Sequence, residues 1–236
     1  MKLKRGCLFL LFLFLFALFV NTIGVNAMNT GFSTEEINSQ NEESFISYTA
    51  ISPLKEEPGK KGIVCFDVNE KSMIAIGQDR VGNKKTVCIY SADGSFLYGY
   101  TFNCAGSFTV EWDSEILNIY FVRSNVIISL DSDGNMLDIK KVQNTISNKS
   151  HTNALLSSTR IVGDTTYLIR NDMGLFNWIA VSYSQIVVIG ADDVEHIIYD
   201  MNNIQLVKTV TIFVAACVIL VAAVIFIARE PRKLKQ

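Results

Sequence analysis

Histidine is scarce in this sequence: His151 and His196 are the only two. His151 lies in a polar segment and His196 in a strand-like run, and neither has a motif around it. There is no Gly-x-Ser-x-Gly elbow, no His-Glu-x-x-His pair and no glycine-rich phosphate loop. Those absences remove the sequence marks of an α/β-hydrolase, a zinc peptidase and a P-loop nucleotide binder. A Ser-His-Asp set assembled in space stays open, because its members need not be neighbours in sequence.

Cysteine is no more suggestive. Of the five, Cys65, Cys88 and Cys104 fall in the middle of the chain, and none has a close sequence partner. That spacing holds no metal or redox motif, and three thiols cannot all pair among themselves. Cys65 and Cys88 sit inside apolar runs, where a thiol behaves as a small hydrophobe. Buried thiols are expected, with a single disulfide as the alternative. No catalytic residue, cofactor or metal is expected.

Positive charge is the third shortage. Of 21 Lys and Arg, Lys2, Lys4, Arg5, Lys208, Arg229, Arg232, Lys233 and Lys235 account for eight, leaving 13 within residues 28–206. Of 23 Asp and Glu, only Glu230 lies outside that stretch, leaving 22 and a local charge near −9. Nucleic acid needs a basic footprint, so it is not an expected partner.

What the chain does have begins at its ends. Lys2, Lys4 and Arg5 precede an uncharged Leu- and Phe-dense run, Cys7 to Val20, and Val25-Asn26-Ala27 follows. Basic end, apolar run and small-residue exit form the order of a secretory signal, expected over residues 1–27, with an uncleaved anchor as the alternative. At the other end, Val210 to Ala228 is uncharged. At about 1.5 Å per residue this approaches the ~30 Å hydrocarbon core of a bilayer. A transmembrane helix is expected over residues 206–228 and a basic cytoplasmic tail over 229–236, with the amino end outside by the positive-inside rule. The terse tail and apolar leader suggest a single-pass surface protein of a Gram-positive bacterium. The sequon Asn148-Lys149-Ser150 has meaning only in a eukaryotic secretory pathway.

Between the ends, residues 28–62 read as a polar arm, with Ser44 to Ile51 alternating well enough for one strand. Residues 63–205 carry a repeat. Val87 to Tyr98, Ile127 to Asp138 and Ile186 to Tyr199 each read as a β-rich run, a tight polar turn and a second β-rich run. Asp93-Gly94 and Asp133-Gly134 are hairpin turns, glycine supplying the positive φ such turns need; the third turn lacks the glycine. Two strand-like runs precede each hairpin, so the expected fold is all-β: three antiparallel units of four strands, plus the terminal helix.

Units ending in an apolar run, Ser/Asp-x-Asp-Gly and then Phe96 or Met136 resemble NHL-type β-propeller repeats, and Gly106 to Val142 is the best match. The resemblance implies a blade-built binding domain, often for proteins. Three units are fewer than the roughly four to eight blades of a closed ring. It therefore implies an open or incomplete propeller, or one completed by Ser44 to Ile51 or by a second copy.

The turn Asp131-Ser132-Asp133-Gly134-Asn135, with Asp138 nearby, has oxygens a calcium ion could use, but its counterpart Ser91-Ala92-Asp93-Gly94 has one carboxylate. A turn accounts for both. Trp112, Tyr120, Phe121, Phe176 and Trp178 are candidate binding aromatics or core fillers. Of these, Trp112, Tyr120, Phe176 and Trp178 are the favoured binding residues. Phe176 and Trp178 stand out because they occupy the longest interruption of the repeat. The expected function is a membrane-anchored extracytoplasmic binding module with a protein partner or a second copy of itself. The alternatives are a cell-surface polymer hydrolase or lyase, and a small-ligand sensor subunit.

Overall fold

The computed structural model describes residues 28–79 and 82–229. The expected signal segment and the residues of the tail beyond Arg229 lie outside them. In chain order the elements are β1 (Thr34–Glu36), α1 (Ser39–Thr49), β2 (Ser52–Leu54), β3 (Ile63–Val68), β4 (Ile74–Asp79), β5 (Lys84–Tyr90) and β6 (Phe96–Asn103). Then come β7 (Phe108–Asp113), β8 (Ile116–Phe121), β9 (Val126–Leu130), β10 (Met136–Val142) and α2 (Ile146–Leu155). The last are β11 (Thr159–Val162), β12 (Thr165–Arg170), a 3-10 helix (Gly174–Ile179), β13 (Gln185–Ile189), β14 (Glu195–Asp200) and α3 (Asn202–Arg229).

The strands form three antiparallel sheets: β2-β6-β5-β4-β3, β1-β10-β9-β8-β7 and β11-β12-β13-β14. Each contains four consecutive up-and-down strands, and the arm adds a fifth to two of them. β2 pairs with β6 and β1 with β10, which covers two edges that would otherwise present bare N–H and C=O groups.

The arm departs from expectation at Ser44 to Ile51, most of which is helical. Asn38 caps α1, its side chain accepting from the Asn41 N–H at 2.8 Å, and Ala50 ends it in the left-handed region at φ 44. The apparent alternation also places Phe45 and Thr49 four residues apart on one helical face, where Phe45 meets Phe121 edge-on at 5.1 Å. A stretch this short satisfies both periods, and the cap decides.

Period-two alternation sends neighbouring residues of the first sheet to different cores. Val87 and Ile89 join Phe108, Ile119 and Ile128 of the second sheet in one core, and Cys88 and Tyr90 join Tyr167, Ile186 and Tyr199 of the third in another. The first sheet is thus the middle layer, which is why β5 reads as a continuous apolar run rather than an alternating one. Removing a Val or Ile side chain from water contributes about 1.5–3 kcal/mol, and this sheet collects that on both faces. The second sheet's outer face carries Tyr120, Ile127 and Val142, roofed by Phe32 of the arm and Leu155 of α2. The ring is not closed: among the described residues no core joins the second sheet to the third.

The expected hairpin turns are all present. Gly94 (φ 82) and Gly134 (φ 86) donate their N–H to Ser91 O and Asp131 O at 3.0 and 3.1 Å. In the third unit Asp193 takes the same place, at φ 56, donating to Gly190 O at 3.1 Å. The turn survives without glycine because Asp tolerates the left-handed region better than most side chains.

Candidate functional site

One edge strand from each of the three sheets, β3, β7 and β11, converges on one ion pair. Asp67 on β3 accepts the Arg160 Nε of β11 at 2.9 Å and the Trp112 backbone N–H of β7 at 2.8 Å. The rest of the guanidinium donates to the carbonyls of Leu155 (2.7 Å), Thr159 (2.9 Å), Phe66 (3.1 Å) and Ser157 (3.2 Å). Burial pushes the Asp67 carboxyl up, and the Trp112 N–H and Arg160 pull against it. Burial likewise pushes the neighbouring Cys65 thiol up to about 12, so it packs and is no nucleophile. This junction holds the sheets together and is closed to a ligand.

Of the four favoured aromatics, Trp112 is half-buried against the core between the first and second sheets. Its Nε1 has no hydrogen-bond partner among the described residues. Tyr120 is buried under Phe32, centroids 4.5 Å apart, and its hydroxyl donates to Asn125 Oδ1 at 2.9 Å. Phe121, the fifth aromatic, fills the same core as Phe108. Phe176 and Trp178 share the 3-10 helix: Phe176 packs on Phe213 of α3, centroids 6.0 Å apart, and Trp178 is 80% exposed. The structure therefore groups only Phe176 and Trp178, on a segment at the root of α3.

The calcium alternative finds its oxygens occupied. Asp131 Oδ1 accepts from the Asp133 and Asn135 N–H groups at 3.0 and 2.8 Å, and Oδ2 from Asn135 Nδ2 at 2.8 Å. Among the described residues no group of three or more His, Cys, Asp or Glu could hold a metal. A surface cleft of about 600 Å³ is lined by Asn29, Glu70, Lys71 and residues 113–116, and neither histidine lines it. His151 instead lies 2.9 Å from Glu111, whose carboxylate also takes the Gly31 N–H (3.1 Å) and the Thr30 hydroxyl. The hydroxyl is bound to the carboxylate and not to the imidazole, so the group fastens the arm and is no nucleophile–base pair. His196 is exposed on the edge strand β14. Asn148 of the sequon is buried, with its amide engaged by Ser33 N and O and Gln143 O, so it is no glycan acceptor.

No family model, curated protein or solved structure matches this chain.

The remaining feature is a sheet face. Directly paired residues share a face, so the registers Ile161–Thr166–Ile189–Glu195 and Thr159–Leu168–Val187–Ile197 lie together on the side of the third sheet away from the first. Ile161 is 72% and Ile197 50% exposed, and Leu168 and Ile189 are half-buried. The matching face of the second sheet is roofed by Phe32 and Leu155; on this one Val187 is fully buried, and the open apolar surface lies around Ile161 and Ile197. Nothing in the sequence singled it out, because its alternation is that of any strand with one face on a core. The signal that does exist is Asp67 and Arg160, one charge in each of two short apolar strands.

Proposed function

We propose that the chain is a single-pass, membrane-anchored protein-interaction module, its propeller-like sheets held outside the cytoplasmic membrane by α3. The segment Asn202–Phe226 is long and apolar enough to cross a bilayer, and none of its most apolar window is buried in the protein. The basic residues Arg229, Arg232, Lys233 and Lys235 just behind the span support an outward-facing domain.

The observation that carries the binding role is the exposed apolar surface around Ile161 and Ile197 on the outer face of the third sheet. Repeat units bury their faces against neighbours, and terminal units need a cap. The second sheet has its cap in Phe32 and Leu155. The third exposes Ile161 and Ile197 instead, and an apolar face left open beside covered ones marks an interaction surface. A protein partner completes the layer.

The test is crosslinking in intact cells, then purification of the full-length protein and mass spectrometry. The wild type brings down one stoichiometric protein, and Ile161→Asp with Ile197→Asp abolishes its recovery while circular dichroism stays unchanged. Recovery of the partner by the double variant overturns the assignment. Recovery of self-crosslinked chains alone replaces the partner by a second copy.

A further inference from the structure

We infer that the 3-10 segment Gly174–Ile179, together with Val181, is a foot that inserts into the headgroup layer of the same membrane that α3 crosses, with lipid rather than protein as its partner. This rests on the reading of α3 as a membrane span.

The root of α3 is bolted to the third sheet. Only Met201 separates β14 from α3, and Met201 is buried. Asn202 Oδ1 accepts the Ser184 hydroxyl at 2.9 Å and the Asp172 N–H at 3.3 Å, and its Nδ2 donates to Asp172 O. Gln205 Nε2 donates to Ser182 O at 2.6 Å. These bonds clamp both ends of the stretch that contains the 3-10 helix onto the first turn of α3. The domain therefore has no slack with which to lift that stretch off the bilayer.

The depth follows from the helix itself. Lys208 is the last charge before the uncharged span, and Phe213 lies five residues beyond it, roughly 7.5 Å along the axis. The polar layer on each side of the ~30 Å hydrocarbon core is about 5–8 Å thick. Phe213 thus sits near the boundary between headgroups and acyl chains, and Phe176 packs on it. The chemistry of the segment matches that depth. No charged residue occurs between Asp172 and Asp192. Leu175, Trp178 and Val181 are 86%, 80% and 98% exposed, a cost in water that the membrane interface removes, and Trp is the side chain that prefers it. Ile204 and Val207 of α3 are also exposed. Ile204 and Phe213 are nine residues apart, on opposite sides of the helix at about 100° per residue. Apolar surface on two opposite sides of the helix fits a bilayer better than a protein docked on one side.

The chain contains two tryptophans, Trp112 and Trp178, so Trp112→Phe leaves Trp178 as sole reporter. The full-length variant is reconstituted into liposomes containing lipids brominated either near the headgroup end of the acyl chain or deep within it. A fluorescent label on Cys217 reports the span in parallel. The expected result is blue-shifted Trp178 emission with about twofold loss in shallow-brominated lipid and less in deep-brominated lipid, while the Cys217 label is quenched more by the deep one. Quenching at Cys217 with unquenched, red-shifted Trp178 overturns the foot and leaves the anchor standing. No quenching at Cys217 overturns the anchor and the foot with it.

Discussion

Asp67 shows at the residue scale how one charge can organise a fold. It sits where three sheets meet, and its oxygens serve one group from each of the other two. Removing one partner of a buried ion pair strands the other. Asp67→Ala is therefore expected to destabilise the protein by about 3–5 kcal/mol, read as a lower urea midpoint for the detergent-solubilised chain. The pH dependence runs opposite to that of an exposed salt bridge. Burial raises the Asp67 pKa in the fold above its ordinary 3.8. Its contribution is then fully present below that ordinary value and is lost as pH rises through the raised one. The stability of wild type relative to Asp67→Asn should increase as pH falls from about 7 towards 4. A difference that shrinks on acidification would place the carboxyl's pKa below its unfolded value.

The repeated hairpin turn is the lesson at the scale of the element. Its third copy works with Asp193 at positive φ where the others use glycine. Asp193→Gly relieves that strain and is expected to raise stability by about 0.5–1 kcal/mol, measured by thermal unfolding. The reverse changes differ in size. Gly134→Ala costs about 1–2 kcal/mol for the left-handed backbone alone. Gly94→Ala costs more, because the added Cβ would lie 2.5 Å from Ile198 O of the third sheet, against 3.3 Å from the Pro53 side chain at Gly134. Equal losses in the two would mean that the first sheet's turn does not press on β14. These turns were legible from Asp-Gly between apolar runs because the physics that selects glycine is local. The helix α1 was not, since the ambiguous stretch Ser44 to Ile51 carries both periods and the deciding Asn38 cap lies outside it.

At the scale of the whole molecule, the sheets and the apolar helix α3 behave as one body. Met201, which joins β14 to α3, packs in the core shared with the third sheet, and Gln205 in the first turn of α3 is buried with its amide on Ser182 O. A chain cut after Val207 keeps them and should melt as a single unit; one cut after Asp200 loses them and should melt lower by about 5–10 °C in calorimetry. Identical melting temperatures would show the junction to be a loose tether. A rigid junction also ties the orientation of Ile161 and Ile197 to that of α3.

The local and the periodic features were legible in the chain alone: four-stranded units from alternation, turns from Asp-Gly, and an apolar helix from nineteen uncharged residues. Each depends on interactions within a few residues, so each is written in a few residues. The layer order was decided only in three dimensions. Nothing in the repeat says that the first sheet lies between the other two, or that Asp67 and Arg160, 93 positions apart, would meet at 2.9 Å. The same holds for the roof over the second sheet's outer face, because Phe32 and Leu155 reach the second sheet from opposite ends of its sequence. Sheet faces are filled by whichever apolar surface the topology brings near. That choice is a sum over contacts distant in sequence, and it leaves no trace in a single strand.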